Sequence, residues 1–278
     1  MDAEISLELE STLLDQAAAG DSAALENLIQ PLRRPLFSYI YRMVSGRQDA
    51  EDLLQDVLVR VLQNLPSFRR ESGFKTWLFG IATHVCLDHL KYRKRWRVEA
   101  QLIGEEQADK DTVTRERLYS IFAKPDFKYD IREHIAFCFS CVSRTLPPEE
   151  QAALMLKEVL GFTAREAARM LEVSEPVFRH RLQASRAAMT GNYEGLCQLI
   201  NKTGLCWQCR GLREVIPEAR RGPDLVQIEV GPGRAITPEA LFDARIEIVK
   251  EADYAKGRST ALHDFFLENL SNREENRT

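Results

Sequence analysis

The chain has 278 residues, with 38 lysines and arginines against 42 aspartates and glutamates and a formal net charge of -4. With 44% hydrophobic and 29% charged residues, the composition is that of a soluble globular chain and excludes collagen-like, coiled-coil and disordered proteins. No run reaches the ~18 apolar residues that a membrane span needs, and the acidic start lacks the basic segment of a secretory signal. These features predict a cytoplasmic protein with no membrane partner.

Apolar residues recur at helical spacing through most of residues 11–200, which predicts a mainly α fold. Breaks in this pattern predict four segments: a helical domain at 10–97, a linker at 98–130, a second helical domain at 131–190 and an extension at 191–278. In the extension we expect a strand at Val226, Ile228 and Val230, and a helix that begins at Thr237-Pro238. We therefore expect a small α+β fold for the extension.

Two amphipathic helices are predicted in the first domain. The first begins with Asp49 as N-cap, ends at Pro66, and buries one apolar stripe: Leu53, Leu54, Val57, Leu58, Val61, Leu62 and Leu65. The second begins near Thr76 and ends in the basic cluster of residues 91–97. The lysine and arginines of this cluster, Lys91, Arg93 and Arg95 among them, predict salt-sensitive binding to phosphate groups.

Between these helices, residues 67–78 alternate aromatic and cationic side chains. Aromatic faces stack on unpaired bases while cations hold phosphates, so this segment suits single-stranded DNA. The alternative is that Phe68, Phe74 and Trp77 are core residues. The sequence leaves both interpretations open.

Residues 163–182 have the pattern of a helix-turn-helix. Thr163 can cap the first helix, Ala167 and Ala168 permit close helix packing, and Ser174 can cap a second helix. The second helix is basic, as expected for a recognition helix, and its candidate DNA-binding residues are Ser174, Glu175, Arg179, Arg181 and Arg186. The alternative is a helical hairpin whose arginines only face solvent.

Together these motifs resemble regions 2 and 4 of bacterial RNA polymerase sigma factors. Residues 49–57, 68–78 and 81–90 resemble region 2, and the helix-turn-helix after Leu146-Pro147-Pro148 resembles region 4. With only a short linker between them, the two blocks are similar to the compact extracytoplasmic-function group. The resemblance implies two helical domains, core RNA polymerase and promoter DNA as partners, an anti-sigma protein as a further candidate partner, and no cofactor for DNA binding.

The resemblance also implies roles for individual residues. Region 2 binds the promoter -10 element and region 4 the -35 element in this group. The implied polymerase-binding residues are Asp49, Asp52, Leu53, Gln55 and Asp56. The implied region 2 DNA contacts are Arg69, Phe74, Lys75, Trp77, Thr83 and His84. Because family members often carry Arg-Asn or a similar pair where this chain has Thr83-His84, the -10 sequence preference is left open.

Two Cys-x2-Cys pairs, Cys138/Cys141 and Cys206/Cys209, have the spacing of a tetrahedral zinc site. His134 precedes the first pair in a His-x3-Cys-x2-Cys pattern that resembles the motif of zinc-containing anti-sigma factors. Zinc ligation, simple packing and a reversible dithiol switch all fit these cysteines.

The extension contains no catalytic set or Gly-rich phosphate loop, so the sequence predicts no enzyme. A regulatory interaction module and an inert cover for region 4 both fit it. The favoured function is a sigma factor that promotes DNA melting for transcription initiation. The alternative is a stand-alone helix-turn-helix regulator that senses metal or thiol state, which has no need of the acidic face at residues 49–56.

Overall fold

The computed structural model describes residues 7–98, 100, 111–196, 216–220, 237–252 and 257–275. Within these ranges the chain is helical and contains no β-strand, which confirms the mainly α fold class. The strand predicted at Val226, Ile228 and Val230 lies outside the described residues. None of the described helices is both long and apolar enough to cross a membrane.

The helices follow one another in chain order. They are α1 (Leu7–Ala18), α2 (Ser22–Val44), α3 (Arg47–Asn64), α4 (Phe74–Leu90), α5 (Thr112–Phe122), α6 (Ile131–Ser143), α7 (Pro148–Leu154), α8 (Ala164–Met170), α9 (Glu175–Leu196), α10 (Pro238–Glu251) and α11 (Thr260–Glu275). Short 3-10 turns lie at Leu65–Ser67 and Glu218–Arg220, and a π-helical turn at Met155–Val159 continues α7.

The described helices belong to two compact units. The first comprises Met1–Lys91 and Phe162–Arg179, and the second comprises Tyr92–Gly161 and His180–Thr278. These units cut across the segments predicted from the sequence, because the first helix of the helix-turn-helix packs on α4 within the first unit. The four segments stay a prediction about domain organisation.

In the first unit, α2, α3 and α4 pack against one another around fully buried side chains such as Leu36, Tyr39, Val57 and Phe79. Two sequence predictions for α3 are wrong. The helix begins at Arg47 with Gly46 as N-cap, so Asp49 lies in its first turn. Leu62, placed in the buried stripe, is 57% exposed, because a straight helix with 3.6 residues per turn carries it away from the core face.

In the second unit the extension supplies part of the core. Ile216, Ile248 of α10, and Leu262 and Phe265 of α11 come from the extension. They join one apolar cluster with residues from the predicted linker and from α6: Ile121, Phe122, Phe127, Tyr129, Ile131 and Ile135. The linker is thus partly helical, since α5 lies within it. Thr237 caps α10 as predicted, because its Oγ1 accepts a hydrogen bond from the Ala240 amide (3.2 Å).

Candidate nucleic-acid interface

A cleft of about 420 Å³ opens in the first unit, where the end of α3, the loop after it and one face of α4 meet. The cleft is lined by cationic, aromatic and small polar side chains together with Ile81, Met170 and the carboxylate of Glu172. Cationic and aromatic groups side by side are expected of a site for single-stranded nucleic acid. The lining residues are Arg60, Asn64, Ser67, Ser72, Thr76, Trp77, Gly80, Ile81, His84, Arg169, Met170 and Glu172.

The aromatic residues of segment 67–78 divide between core and cleft. Phe74 is buried, whereas Phe68 and Trp77 are half-buried and stack on each other with ring centroids 4.7 Å apart. Phe74 meets the Trp77 ring at 5.9 Å and supports it from the interior. Trp77 therefore fits both interpretations that the sequence left open: it packs on Phe68, as a core residue would, and it also lines the cleft.

The loop beside the cleft is cationic and backbone-strained. Arg69 is exposed, and its guanidinium lies 4.0 Å from the Glu71 carboxylate. Arg70 has a φ of 55°, a left-handed conformation that is rare for residues other than glycine, and it pairs with Asp15 of α1. Such strain often accompanies functional sites.

Thr83 and His84, adjacent on α4, have different surroundings. Thr83 is fully buried: its hydroxyl donates to the Phe79 carbonyl (2.7 Å) and shares a hydrogen bond with the Tyr39 hydroxyl (2.9 Å). His84 faces the cleft, where its Nε2 lies 3.4 Å from Glu172 Oε1. Of the two, the structure brings only His84 to the cleft.

The first helix of the helix-turn-helix packs on the same face of α4. A capping box begins α8, in which Thr163 Oγ1 accepts from the Glu166 amide and Glu166 Oε2 accepts from the Thr163 amide. Thr76 of α4 also donates to Glu166 Oε1 (3.2 Å). Near the end of α8, Arg169 donates to the Glu71 carbonyl (3.1 Å).

Lys75 lies beside this contact, with its ammonium 5.2 Å above the Phe162 ring. The fold therefore places two more of the predicted region 2 DNA contacts, Lys75 and Trp77, next to the helix-turn-helix.

The start of α9 presents the predicted recognition residues. Ser174 and Arg179 are exposed, Arg181 is partly exposed, and Arg179 pairs with Glu175 one turn earlier at 2.5 Å. The hydrogen bond from Arg179 holds the pKa of Glu175 below its usual range. A phosphate or base edge would compete with Glu175 for the same guanidinium.

Arg186, two turns further along α9, has different surroundings. It forms ion pairs with Glu158 of the π-helical turn (2.7 Å) and with Asp243 of α10 (2.5 Å). Its guanidinium also lies 5.0 Å from the centroid of the Phe242 ring. Its partners precede and follow the helix-turn-helix in the chain, so spacing within the motif could not reveal them.

The basic cluster after α4 includes anchoring residues that sequence reasoning missed. Trp96 is buried with the Arg144 guanidinium 5.6 Å from its ring, and the Arg97 backbone and side chain bind the buried Glu274 carboxylate at 2.6–3.3 Å. The predicted phosphate-binding residues Lys91 and Arg95 are exposed, and Arg93 is partly exposed. In the sequence, the tryptophan within the basic run is the feature that could have indicated a buried anchor.

The predicted polymerase-binding face lies along α3. Asp52, Gln55 and Asp56 are exposed, Asp49 is partly exposed with the His89 ring 3.7 Å away, and Leu53 is buried. Val59 and Leu62, 50% and 57% exposed, follow at helical spacing on the same face. An acidic and amide surface with an apolar end suits a docking surface for a protein.

Half of the predicted zinc site lies in the described part of the chain. Cys138 is half-buried and Cys141 is buried, both on α6, while Cys206 and Cys209 lie outside the described residues. The described residues contain no group of three metal donors. A zinc site at these four cysteines therefore stays a prediction.

Comparison with known proteins supports the resemblance in both segments. Residues 28–97 match the family model of Sigma-70 region 2, and residues 137–189 match that of Sigma-70 region 4. An ECF RNA polymerase sigma factor, SigG of Mycobacterium tuberculosis, is 31% identical over 171 residues, which are 58% of this chain and 46% of the relative. SigX of Bacillus subtilis is 28% identical over 148 residues, 53% of this chain and 72% of the relative.

The chain thus spans less than half the length of the mycobacterial relative. Among solved structures, CnrH in complex with the cytosolic domain of CnrY aligns with a TM-score of 0.44 at 18% identity, covering 66% of this chain and 96% of that one. The family matches confirm the resemblance to sigma factors of the extracytoplasmic-function group.

Proposed function

We propose that this chain, which carries regions 2 and 4 of the extracytoplasmic-function group of RNA polymerase sigma factors, binds core RNA polymerase and directs it to promoters. It would recognise the -10 and -35 elements and promote separation of the two DNA strands. Proteins of this family are initiation factors without enzymatic activity and bind DNA without a cofactor.

The cleft of the first unit carries this proposal. Trp77 offers a half-exposed aromatic face, His84 a second ring, and Arg60 a cation at one wall. A base that leaves the duplex can stack on an indole while a nearby guanidinium holds its phosphate, and neither interaction requires a paired strand. A surface of this kind stabilises melted DNA relative to duplex DNA.

The same cleft is closed on one side by the helix-turn-helix. Arg169, Met170 and Glu172 line it, and a Cβ on Gly80 would lie in ordinary van der Waals contact with the Met170 Cα, at 3.8 Å. In this conformation the helix-turn-helix covers part of the surface that would read the -10 strand. Promoter binding then requires that α8 leave α4.

The α3 face supports a polymerase partner. A stand-alone regulator has no need of an acidic and amide surface next to two exposed aliphatic side chains, Val59 and Leu62. A sigma factor needs such a surface, because it acts only when bound to core enzyme. We therefore favour the sigma factor over the stand-alone helix-turn-helix regulator.

The proposal is tested by binding of holoenzyme to a single-stranded oligonucleotide library that covers -10-like sequences. Trp77→Ala should weaken binding by about 1–3 kcal/mol for one lost stacking contact, which is roughly 5- to 150-fold, and Trp77→Phe should recover most of it. Tyr119→Ala removes another exposed aromatic, on α5, and serves as the matched control. Equal affinities for wild type and Trp77→Ala would contradict the assignment of the cleft.

A further inference from the structure

The guanidinium of Arg186 joins three elements of the second unit. It contacts Glu158 in the π-helical turn before the helix-turn-helix, lies on α9, and contacts Asp243 in α10 of the extension. The pair with Glu158 is partly shielded from water, since the side chains of Arg186 and Glu158 are only 30% and 19% exposed, whereas Asp243 is 54% exposed. Ion pairs of this kind resist screening by salt more than pairs on an open surface do.

Both terminal amino groups of Arg186 have partners. They donate to two different carboxylates, and the Cζ atom lies over the Phe242 ring. Partial burial would by itself lower the pKa of Arg186, but hydrogen bonds to Asp243 and Glu158 outweigh it and raise the pKa. A DNA phosphate that approached these two amino groups would compete with contacts that the fold already makes.

Helix α10 is itself anchored on both neighbours. Phe242 packs against Phe139 of α6 at 6.3 Å and against Tyr193 of α9 at 6.5 Å. Arg245, which is 99% buried, lies with its guanidinium 3.9 Å from the centroid of the Tyr193 ring. The extension therefore packs along α9 through Phe242 and Arg245, and Arg186 adds an ion pair with Asp243 to that contact.

We propose that Arg186 is a positioning residue rather than a DNA contact, and that with Glu158 and Asp243 it makes the C-terminal extension a structural part of the DNA-reading module. The extension holds the second half of α9, so that the position of this part of α9 within the second unit depends on α10. This inference rests on the proposed promoter binding by α9, and it revises the expectation that Arg186 contacts DNA. On this inference the extension is more than an inert cover for region 4.

The test compares Arg186→Lys, Asp243→Asn and the double variant in the full-length chain. Lysine keeps the charge that attracts phosphate but loses the fork that reaches two carboxylates. The matched control is Glu247→Gln, which removes an exposed carboxylate from the same helix, where it pairs only with Lys250 in the described structure at 2.8 Å. Two quantities are measured: the melting temperature, and the affinity for duplex DNA with a -35 element across salt concentrations.

If Arg186 positions the helix, both single variants melt roughly 2–4 °C lower, the double variant melts no lower than the worse single variant, and Glu247→Gln melts like wild type. Both single variants also bind DNA several-fold more weakly, with the salt dependence of wild type.

If Arg186 contacts phosphate, Arg186→Lys binds nearly normally. Asp243→Asn then binds more tightly, with a salt slope steeper by about one, because it releases a cation to the DNA. That pair of results overturns the proposal, and so do additive melting shifts.

The proposed function and the positioning role of Arg186 are contradicted by different results. Wild-type protein that binds no promoter DNA, alone or with core polymerase, contradicts the proposed function. The melting experiment still decides whether Arg186 ties α9 to α10, because it does not depend on DNA.

Discussion

Acid should lower the free energy of unfolding through a buried histidine pair in the second unit. His134 of α6 and His263 of α11 are both buried, and their ring centroids are 5.5 Å apart. Burial lowers the pKa of His134 to about 4, and burial together with the charge of His134 lowers the pKa of His263 well below its usual value. Both imidazoles are therefore neutral in the folded protein at pH 7.

The direction and size of the effect follow from linkage. Because the folded pKa of His134 lies below the unfolded value near 6.5, the unfolded chain binds more protons between about pH 4 and pH 6.5. Stability is thus fully present above pH 6.5 and is lost as the pH falls towards 4. At pH 5.5 the unfolded imidazole gains about 1.4 kcal/mol from protonation while the folded one gains almost nothing. His263 acts in the same direction.

The assay is urea unfolding at pH 7.5 and pH 5.5, followed by circular dichroism. In His134→Phe, whose ring can still pack against Phe137, the loss of stability between these pH values should be about 1.4 kcal/mol smaller than in wild type. His180→Gln removes an exposed histidine of α9 and serves as the matched control for the substitution of a histidine. If His134→Phe and wild type lose the same stability on acidification, the reasoning is wrong. Should the variant fail to fold, an NMR titration of His134 that gives a pKa above 6 refutes it equally.

Two further predictions concern the interfaces. Reversing Asp52 and Asp56 together to lysine should weaken binding to core polymerase at least tenfold through like-charge repulsion. The melting temperature should not fall, since both side chains are exposed. Unchanged co-purification with core polymerase would refute this prediction. Arg179→Ala should cost about 1–3 kcal/mol and relax the -35 sequence preference, whereas Lys91→Ala should weaken binding to all promoters alike; a uniform loss in both variants across a promoter panel would remove Arg179 from base reading.

Local sequence patterns predicted the local structure well. The cap at Thr163 and the Thr237-Pro238 helix start depend on residues a few positions apart, and the structure confirms both. Helical periodicity also identified α3 and α4, and the ordered motifs identified the family. These features are encoded within single turns or single helices, where spacing determines which side chains meet.

The remaining features depend on residues far apart in the chain. The buried Thr83 hydroxyl shares a hydrogen bond with Tyr39, 44 positions earlier, and Arg186 pairs with Asp243, 57 positions later. A helical pattern states that a side chain lies on a given face but not what packs against that face. Leu62 illustrates the limit, since periodicity placed it in the core stripe and the helix turns it outward.

The central claim is tested most directly by in vitro transcription with core RNA polymerase on a promoter library, with the Asp52→Lys, Asp56→Lys variant as the matched control. The account predicts transcripts from a subset of promoters that share a -10 and a -35 motif, and their loss with the variant. If the chain binds duplex DNA by itself but yields no transcripts above core enzyme alone, it is a stand-alone DNA-binding protein and the account is contradicted.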